Sequence, residues 1–421
     1  MNSKLVTDAI TLSGGWLDEL DLSSVMREHL TSHLDTSSRI DLVSVGKASI
    51  EMARCANEIL GHRVQRRLII TDGEDPGAAD VSPEVLTGEH PIPGPGSVRA
   101  GRALVAFLDD ASSADLTLFL ISGGASSICA WPSPPLTLED LRELWTAALA
   151  SGADITTLNM ARAATSNIAG GAILRHVKSA SSRSLIMVDN VVSGARWVAS
   201  GLTYRYETSA AQLESLLTRL TLADTPLGDA MRDAHATRSR ILSMPITTSH
   251  RNVVIASPDL LLDRVIAHAQ HLGYRVLDMG SHVQGDVTRV SEQWASALRG
   301  LDNDVPTCMI GVGEVTVRVS GSGSGGRCQE FAWLMAKELA NFDHEAVFVA
   351  RASDGRDFLS GVAGAWVDRT TLQRAASMGI DWTEISSNND SHRALAALRQ
   401  LLAGAHTGWN LCDLYVAITR S

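Results

Sequence analysis

Gly311-Val312-Gly313-Glu314-Val315-Thr316-Val317-Arg318-Val319 runs into Ser320-Gly321-Ser322-Gly323-Ser324-Gly325-Gly326, and then into Arg327-Cys328-Gln329-Glu330-Phe331. The alternation puts Val315, Val317 and Val319 on one face, which is a strand signal. The glycines mark a tight loop in which side chains would be in the way. Past the loop, Phe331, Leu334, Met335 and Leu339 recur at helical spacing. A strand that feeds a glycine loop and then a helix directs backbone N–H groups and a helix N-terminus at one point, which suits a phosphate or carboxylate. Two other readings stay open. The loop serves as a flexible turn, or Gly321, Gly323 and Gly326 form a dinucleotide fingerprint. The polar Arg327, Gln329 and Glu330 in the first helical turn speak against the fingerprint.

The same succession recurs outward in both directions. Strands are expected at Ile40–Val45, Arg67–Thr71, Leu116–Ile121, Ser184–Val188, Asn252–Ala256, Tyr274–Met279, Ala346–Ala350 and Asp413–Ile418. Helical spacing fills the intervals, with Ser97 as the expected N-cap of a helix through Leu108. Strands alternating with helices specify an α/β architecture. A chain of 421 residues exceeds one ordinary core, so two domains are expected, 1–246 and 247–421, parted near residues 244–250.

Thirty-six basic against 47 acidic residues give a net charge of −11, which argues against non-specific nucleic-acid binding. The five cysteines include no C-x-x-C pair, so neither a disulfide framework nor a zinc site is indicated. No apolar run has the length of a membrane span, and the first residues lack a signal-peptide core. A cytoplasmic protein is expected. The apolar helices at the N-terminus leave room for a homodimer.

In open α/β sheets, ligands bind beyond the carboxyl ends of the strands. The residues following the expected strands are Lys47, Ser122-Gly123-Gly124, Asp189, Glu314, Gly321 to Gly326, and Asp354. They comprise a cation, two glycine loops and three carboxylates. Phosphoryl transfer needs such parts: backbone donors and a cation offset phosphate charge, and carboxylates hold Mg²⁺ or take the hydroxyl proton. Gly46-Lys47 lacks the upstream glycine of a P-loop, and no nucleophile elbow is present. Each residue also has a plainer reading. Lys47 could be solvated, Asp189 could cap a turn, Asp354-Gly355 is a common turn dipeptide, and His90 could be a packed histidine.

The ordered set resembles the type-2 glycerate kinase family, whose C-terminal part is the MOFRL domain. The resemblance spans about Val43 to Ile418. It is carried by Gly46-Lys47-Ala48, His90-Pro91-Ile92-Pro93, Ser122-Gly123-Gly124, Leu158-Asn159-x-x-Arg162, Ser166 with Gly170-Gly171, and Asp189. It continues through Ala199-Ser200-Gly201-x-Thr203, Gly313-Glu314, Gly325-Gly326-Arg327-x-Gln329-Glu330, Ser353-Asp354-Gly355, Asn389-Asp390-Ser391 and Thr407-Gly408-x-Asn410-x-x-Asp413.

The resemblance implies two Rossmann-like α/β domains with a cleft between them, and ATP- and Mg²⁺-dependent phosphorylation of D-glycerate or a related hydroxy compound. It implies Lys47 and Asp189 as the catalytic pair. Arg162 and Arg327 become candidates for gripping carboxylate or phosphate. Ser122, Gly123, Gly124, Gly323, Gly325 and Gly326 become candidates for cradling anionic groups, and Asp189, Glu314 and Asp354 for holding the metal.

Departures from the family pattern fall among charged positions. Ala163 and Ala164 stand where a basic residue and a histidine are usual, Ala169 and Ser324 replace lysines, and Cys328 replaces an asparagine. The run near Ser193-Gly194-Ala195 lacks two acids, while His406 and Trp409 add bulk. These changes suggest a larger or less anionic acceptor. A silent relative that binds a metabolite or partner, and a nicotinamide-dependent hydroxypyruvate reductase, are the competing expectations.

Overall fold

The computed structural model describes residues 3–16, 22–32, 38–73, 81, 85–110, 112–188, 194–301, 305–405, 407 and 409–420. The chain forms two compact units. One is built from the stretch Leu22–Val188 and its continuation to Ile255, the other from Met1–Asp21 and Ala256–Ser421. The boundary between the units, expected at 246/247, lies at Ile255/Ala256, at the last residue of the strand Ser249–Ala256 that completes the sheet of the first unit.

In the first unit, β1 (Ile40–Val45), β2 (Val64–Thr71), β3 (Val85–Thr87), β4 (Leu116–Ile121), β5 (Ser181–Met187) and β6 (Ser249–Ala256) lie side by side in the order β3-β2-β1-β4-β5-β6. The pairs β1–β2, β1–β4, β2–β3 and β4–β5 are all parallel. This is the strand order of a Rossmann fold, with the switch point between β1 and β4. All six residues of β1 and all six of β4 are buried, as expected of strands covered by helices on both faces. The helix that follows β3 begins one turn earlier than Ser97 suggests. Gly94 is its N-cap and Pro95 its first residue, and the Ser97 hydroxyl accepts from the Gly94 N–H at 3.1 Å. The Glu89 carboxylate accepts from the buried amides of Gly96 and Ser97 at 3.1 and 2.9 Å.

In the second unit, β7 (Arg275–Asp278), β8 (Val283–Asp286), β9 (Thr307–Thr316), β10 (Glu345–Ala352), β11 (Val362–Asp368), β12 (Leu401–Ala403) and β13 (Asp413–Arg420) make a mixed sheet, ordered β12-β11-β10-β13-β9-β7 with β8 also on β9. β13 runs antiparallel to both β10 and β9, whereas β7 and β8 run parallel to β9. Phe331, Phe348, Trp294 and Tyr415 meet edge-on or tilted at centroid distances of 4.7 to 6.1 Å and fill the core on one face. The helix Arg327–Leu339 supplies Phe331, Met335 and Leu339 to that core, all fully buried.

The alternating run Val315–Val319 does not continue as a strand. β9 stops at Thr316, where its partner β8 also stops, Asp286 lying opposite Thr316. Beyond that point no neighbour is left to pair with, and Val319 is 74% exposed. Gly313 belongs to the strand rather than to a loop, because a side chain there would come within 2.0 Å of the Val283 carbonyl. Strands β8, β11 and β12 were not marked by alternation.

Candidate functional site

At the switch point, the turns after β1 and β4 are tied to each other. The Lys47 N–H donates to the Gly123 carbonyl (3.0 Å), the Ala48 N–H to the Ser122 hydroxyl (3.0 Å), and the Ser122 N–H to the Val45 carbonyl (3.0 Å). Gly46 has φ +120°, and a side chain on it would lie 2.4 Å from the Ser122 hydroxyl, so only glycine permits this closeness. The Lys47 side chain is exposed and passes over Gly124, whose ideal Cβ position is 3.1 Å from Lys47 Cγ and 3.2 Å from His90 Cδ2. Partial burial holds the His90 imidazole below its usual pKa, and the charges of Lys47 and Arg162 push it further the same way. Lys47, the Ser122–Gly124 turn, His90 and Arg162 therefore share one neighbourhood; position after the strands pointed to Lys47 and the turn, and the family resemblance pointed to Arg162.

A cavity opens beside them, reached from the end of β1 at Val45 and from Ala125 and Ser126 after β4. Its walls include Trp131, Pro132, Leu141, Ile168 and Leu202, and among the described residues Arg162 is the single charged side chain lining it. Arg162 comes from the helix Ile155–Thr165, started by Asp154, whose carboxylate accepts from Thr157 N–H at 2.7 Å. Its guanidinium carbon lies 5.2 Å from the Trp145 ring centre. The Nη2 atom is sealed from solvent and has no hydrogen-bond partner. Burial lowers the Arg162 pKa to about 10, so it stays charged at neutral pH at an energetic cost. Across the cavity, Ala199 and Ser200 both adopt left-handed backbone (φ +55° and +50°). Two consecutive non-glycine residues in that region store strain, as happens at functional sites.

Three contributors to this site carried no local signal: Ser126, Trp145 and Arg238. Arg238 is fully buried and donates to the carbonyls of Ser166 (2.9 Å) and Ala169 (3.0 Å), two residues of the cavity wall. One clue was available. Leu227, Met231 and Ala234 mark the buried face of the helix Pro226–Leu242, and Arg238 falls on the next position of that face.

The candidates of the second unit have a different character. The amides of the loop opened by Ser320 are already taken: Gly321 N–H by Asn389 Oδ1 (3.3 Å), Ser322 N–H by Asn388 Oδ1 (2.9 Å), Gly323 N–H by the Asn388 carbonyl (2.9 Å) and Ser324 N–H by Asp390 Oδ1 (3.1 Å). The N-terminus of the helix Arg327–Leu339 also holds an anion of its own. The buried Asp357 carboxylate accepts from Cys328 N–H (3.0 Å), Gln329 N–H (2.9 Å) and the Gln329 side-chain amide (2.9 Å). Gly323, Gly325 and Gly326 are small because the Asn388–Ser391 stretch and Asp357 pack against them. Side chains there would come within 2.5, 2.2 and 2.2 Å of Asp390, Ser391 and Asp357 respectively. In this conformation the loop is a packed joint rather than an open anion cradle.

Arg327 is similarly committed. Its guanidinium meets Asp413 at 2.5 and 3.0 Å and Glu314 at 2.7 Å. Burial opposes its charge, but the two carboxylates outweigh burial and raise its pKa. Arg327 and Glu314 line one side of an open depression with Gln284, Gly285 and Thr316. Glu314 lies inside β9 rather than after it. Asp354 takes the Arg356 N–H at 2.8 Å and so caps its own turn. Among the described residues, no three His, Cys, Asp or Glu side chains gather where a metal ion could be held. Asp189 and Ser193 lie outside the described residues.

Comparison with known proteins covers nearly the whole chain. A family model described as a domain of unknown function, DUF4147, matches residues 8–233, and the MOFRL family model matches residues 307–413. The chain is 30% identical to glycerate kinase of Homo sapiens, over 90% of this chain and 84% of that protein. It is 28% identical to D-glycerate 2-kinase of Thermotoga maritima, over 90% of each. The crystal structure of Thermotoga maritima glycerate kinase superposes with a TM-score of 0.84 at 27% identity, covering 99% of this chain and 100% of that one. A Pyrococcus horikoshii protein superposes with a TM-score of 0.78 at 26% identity, covering 99% and 97%.

Proposed function

The chain belongs to the glycerate kinase family, and on that premise we propose that it transfers the γ-phosphoryl group of ATP to the 2-hydroxyl of D-glycerate or a related hydroxy acid. The observation that carries the reading is the unpartnered, sealed Nη2 of Arg162 beside Lys47 and the Ser122–Gly124 turn. A buried cation without a partner is costly. An acceptor carboxylate entering the cavity would relieve that cost with a charge-assisted hydrogen bond.

In this reading Arg162 fixes the acceptor, and Lys47 meets the negative charge that builds on the phosphoryl oxygens in flight. The acceptor oxygen forms a bond to the γ-phosphorus as the bond to the β-phosphate oxygen breaks. ADP leaves with the electron pair, and the hydroxyl proton passes to a base, for which Asp189 is the candidate. The neutral His90 imidazole next to Lys47 keeps a competing positive charge out of the Lys47 position. Mg²⁺ would accompany ATP as its counter-ion and offset phosphate charge, with Asp189 the candidate residue to meet it. A small hard cation of this kind keeps several waters and uses substrate phosphates as ligands, and the described carboxylates form no cage for it. Glu314 and Arg327 form an ion pair at the edge of an open depression of their own unit, and in this proposal they shape that surface rather than hold metal.

No helix among the described residues is long and apolar enough to cross a membrane. A cytoplasmic location, where ATP is abundant, belongs to the same proposal. The test is a coupled ADP-release assay with Mg-ATP and D-glycerate or other 2-hydroxy acids, run beside Lys47→Met and Arg162→Gln. Transfer to at least one acid that disappears in Lys47→Met is the expected result. ATP turnover equal in wild type and Lys47→Met would overturn it.

A further inference from the structure

Glu89, in the loop between β3 and the helix Pro95–Asp109, is exposed and yet gripped from three sides. Its carboxylate accepts from the Gly96 N–H (3.1 Å), the Ser97 N–H (2.9 Å) and the Ser97 hydroxyl (3.0 Å). The same serine oxygen accepts from the Glu89 N–H at 3.0 Å, so Ser97 holds both the main chain and the side chain of Glu89. Gly94 and Gly96 leave room for the carboxylate: a Cβ on them would come within 2.2 Å and 3.0 Å of it. Burial opposes the charge on Glu89, but these donors outweigh it and hold its carboxyl below the usual range. The loop is fixed on its other side too. The Gly88 N–H donates to the Thr71 carbonyl at 2.9 Å, and a Cβ on Gly88 would lie 1.9 Å from the Ile128 carbonyl. A cap at Gly94 itself would serve the helix alone. An anion placed five positions before that N-cap also draws the loop back onto the helix and fixes the residue that follows, His90.

We propose that Glu89 is a positioning residue of the site: locked to the first turn of the helix, it sets the His90 ring as a wall beside the stem of Lys47. The inference rests on the reading that Lys47 meets the phosphoryl group in flight. His90 Cδ2 and Lys47 Cγ lie 3.2 and 3.1 Å from the same point, the ideal Cβ position of Gly124, so the ring and the lysine stem converge there. An exposed lysine has a flexible four-carbon stem and scatters among rotamers. A ring fixed beside its γ-carbon removes some of those rotamers before substrate arrives. Preorganisation of this kind favours the chemical step more than the binding of substrate. Glu89 acts on the reaction only through His90. The charged groups that act on the ring are Lys47 and Arg162, which lower its pKa after burial, and Asp72, which raises it.

The experiment uses the full chain in five forms: wild type, Glu89→Gln, Ser97→Ala, His90→Ala and the double variant Glu89→Gln/His90→Ala. Ser97→Ala loosens the same latch from the helix side and keeps the charge of Glu89. The first readout is the proton NMR titration of the His90 ring without ligand, its signal assigned by its loss in His90→Ala. A ring that leaves Lys47 should titrate higher, toward 6.5, in both Glu89→Gln and Ser97→Ala. Loss of a nearby negative charge alone would move the Glu89→Gln midpoint down and leave Ser97→Ala where it was. The second readout is steady-state kinetics with Mg-ATP and D-glycerate or another 2-hydroxy acid that the wild type phosphorylates. Glu89→Gln should lower kcat by about tenfold or more with KM held within about twofold. The double variant should be no slower than His90→Ala, because the carboxylate acts through the ring. A His90 titration that fails to rise in either variant overturns the inference, as does a Glu89→Gln loss that recurs in full in the His90→Ala background. The kinase reading fails separately: a wild type that phosphorylates no acid, with the titration raised in both variants, removes the activity and leaves Glu89 as the residue that sets His90 beside Lys47.

Discussion

The guanidinium of Arg162 lies 5.2 Å from the ring centre of Trp145 while its Nη2 faces no acceptor. The aromatic face offsets part of the desolvation cost, at about 1–2 kcal/mol for a shielded pair, and leaves the donor fork available. Arg162→Met should therefore leave the ligand-free protein at least as heat-stable as wild type, because an unpaired buried charge is exchanged for a flexible apolar chain. The same change should raise the KM for a carboxylate acceptor by roughly two orders of magnitude, the weight of a charge-assisted hydrogen bond. Melting curves with and without acceptor, together with steady-state kinetics, check both halves.

Lys47 is exposed, and the hydrogen bonds of its residue to the Gly123 turn are made by the backbone. Lys47→Met should thus change melting by less than about 0.5 kcal/mol, the range for surface substitutions. If the ammonium stabilises the phosphoryl group in flight, kcat should fall by about a hundredfold or more. A variant that keeps wild-type kcat would remove Lys47 from the chemistry.

His90 offers a pH readout. Its folded pKa lies below the unfolded 6.5, first through burial and then through Lys47. The folded state then binds fewer protons than the unfolded one, so stability rises with pH through the window from the folded pKa up to 6.5. Replacing Lys47 by methionine removes one of the lowering charges and should move the His90 titration upward. Imidazole proton shifts followed by NMR in wild type and variant measure it directly.

The buried Asp357 holds the N-terminus of the helix Arg327–Leu339. Asp357→Asn puts an amide donor against the N–H groups of Cys328 and Gln329, leaving at least one of these buried groups unpaired. A loss of about 1–3 kcal/mol is expected. Gly326→Ala should act similarly, because its new methyl would meet the Asp357 carboxylate and carbonyl at 2.2 to 2.5 Å. Chemical denaturation followed by the tryptophan fluorescence of this unit checks the pair.

Arg238 acts on the site only through the carbonyls of Ser166 and Ala169. Arg238→Lys, which reaches one carbonyl, should raise the acceptor KM several-fold with kcat held within about twofold. Arg238→Met should raise it further. An unchanged KM in a folded Arg238→Met would show that the wall keeps its shape unaided.

How much of this was legible in the sequence depended on range. The ends of β1 and β4 were visible from predominantly apolar runs followed by small residues, and the Lys47 and Ser122–Gly124 part of the site followed from them. The role of the glycine loop was not visible. Its partners, Asn388 to Asp390 and Asp357, lie some 30 to 70 residues further along the chain and contact it only after folding. A glycine that makes room for backbone and one that makes room for phosphate read alike. Arg327 and Arg162 also looked equivalent. One is neutralised by Asp413, 86 residues away, and the other is left without an acceptor, and only the packed structure separates them.

The helix Ser3–Gly14 packs against β10 and β13 and ties Asp8 to the Tyr274 hydroxyl at 2.5 Å, across 266 positions of chain. Leu5, Ala9 and Leu12 are sealed in the finished protein because their helix packs on strands made much later, Glu345–Ala352 and Asp413–Arg420. At about 5–20 residues per second, this greasy face stays uncovered for roughly tens of seconds during synthesis. That interval leaves apolar surface open to aggregation. It also makes expression yield more sensitive to charges placed on those three positions than to changes anywhere on the outer surface.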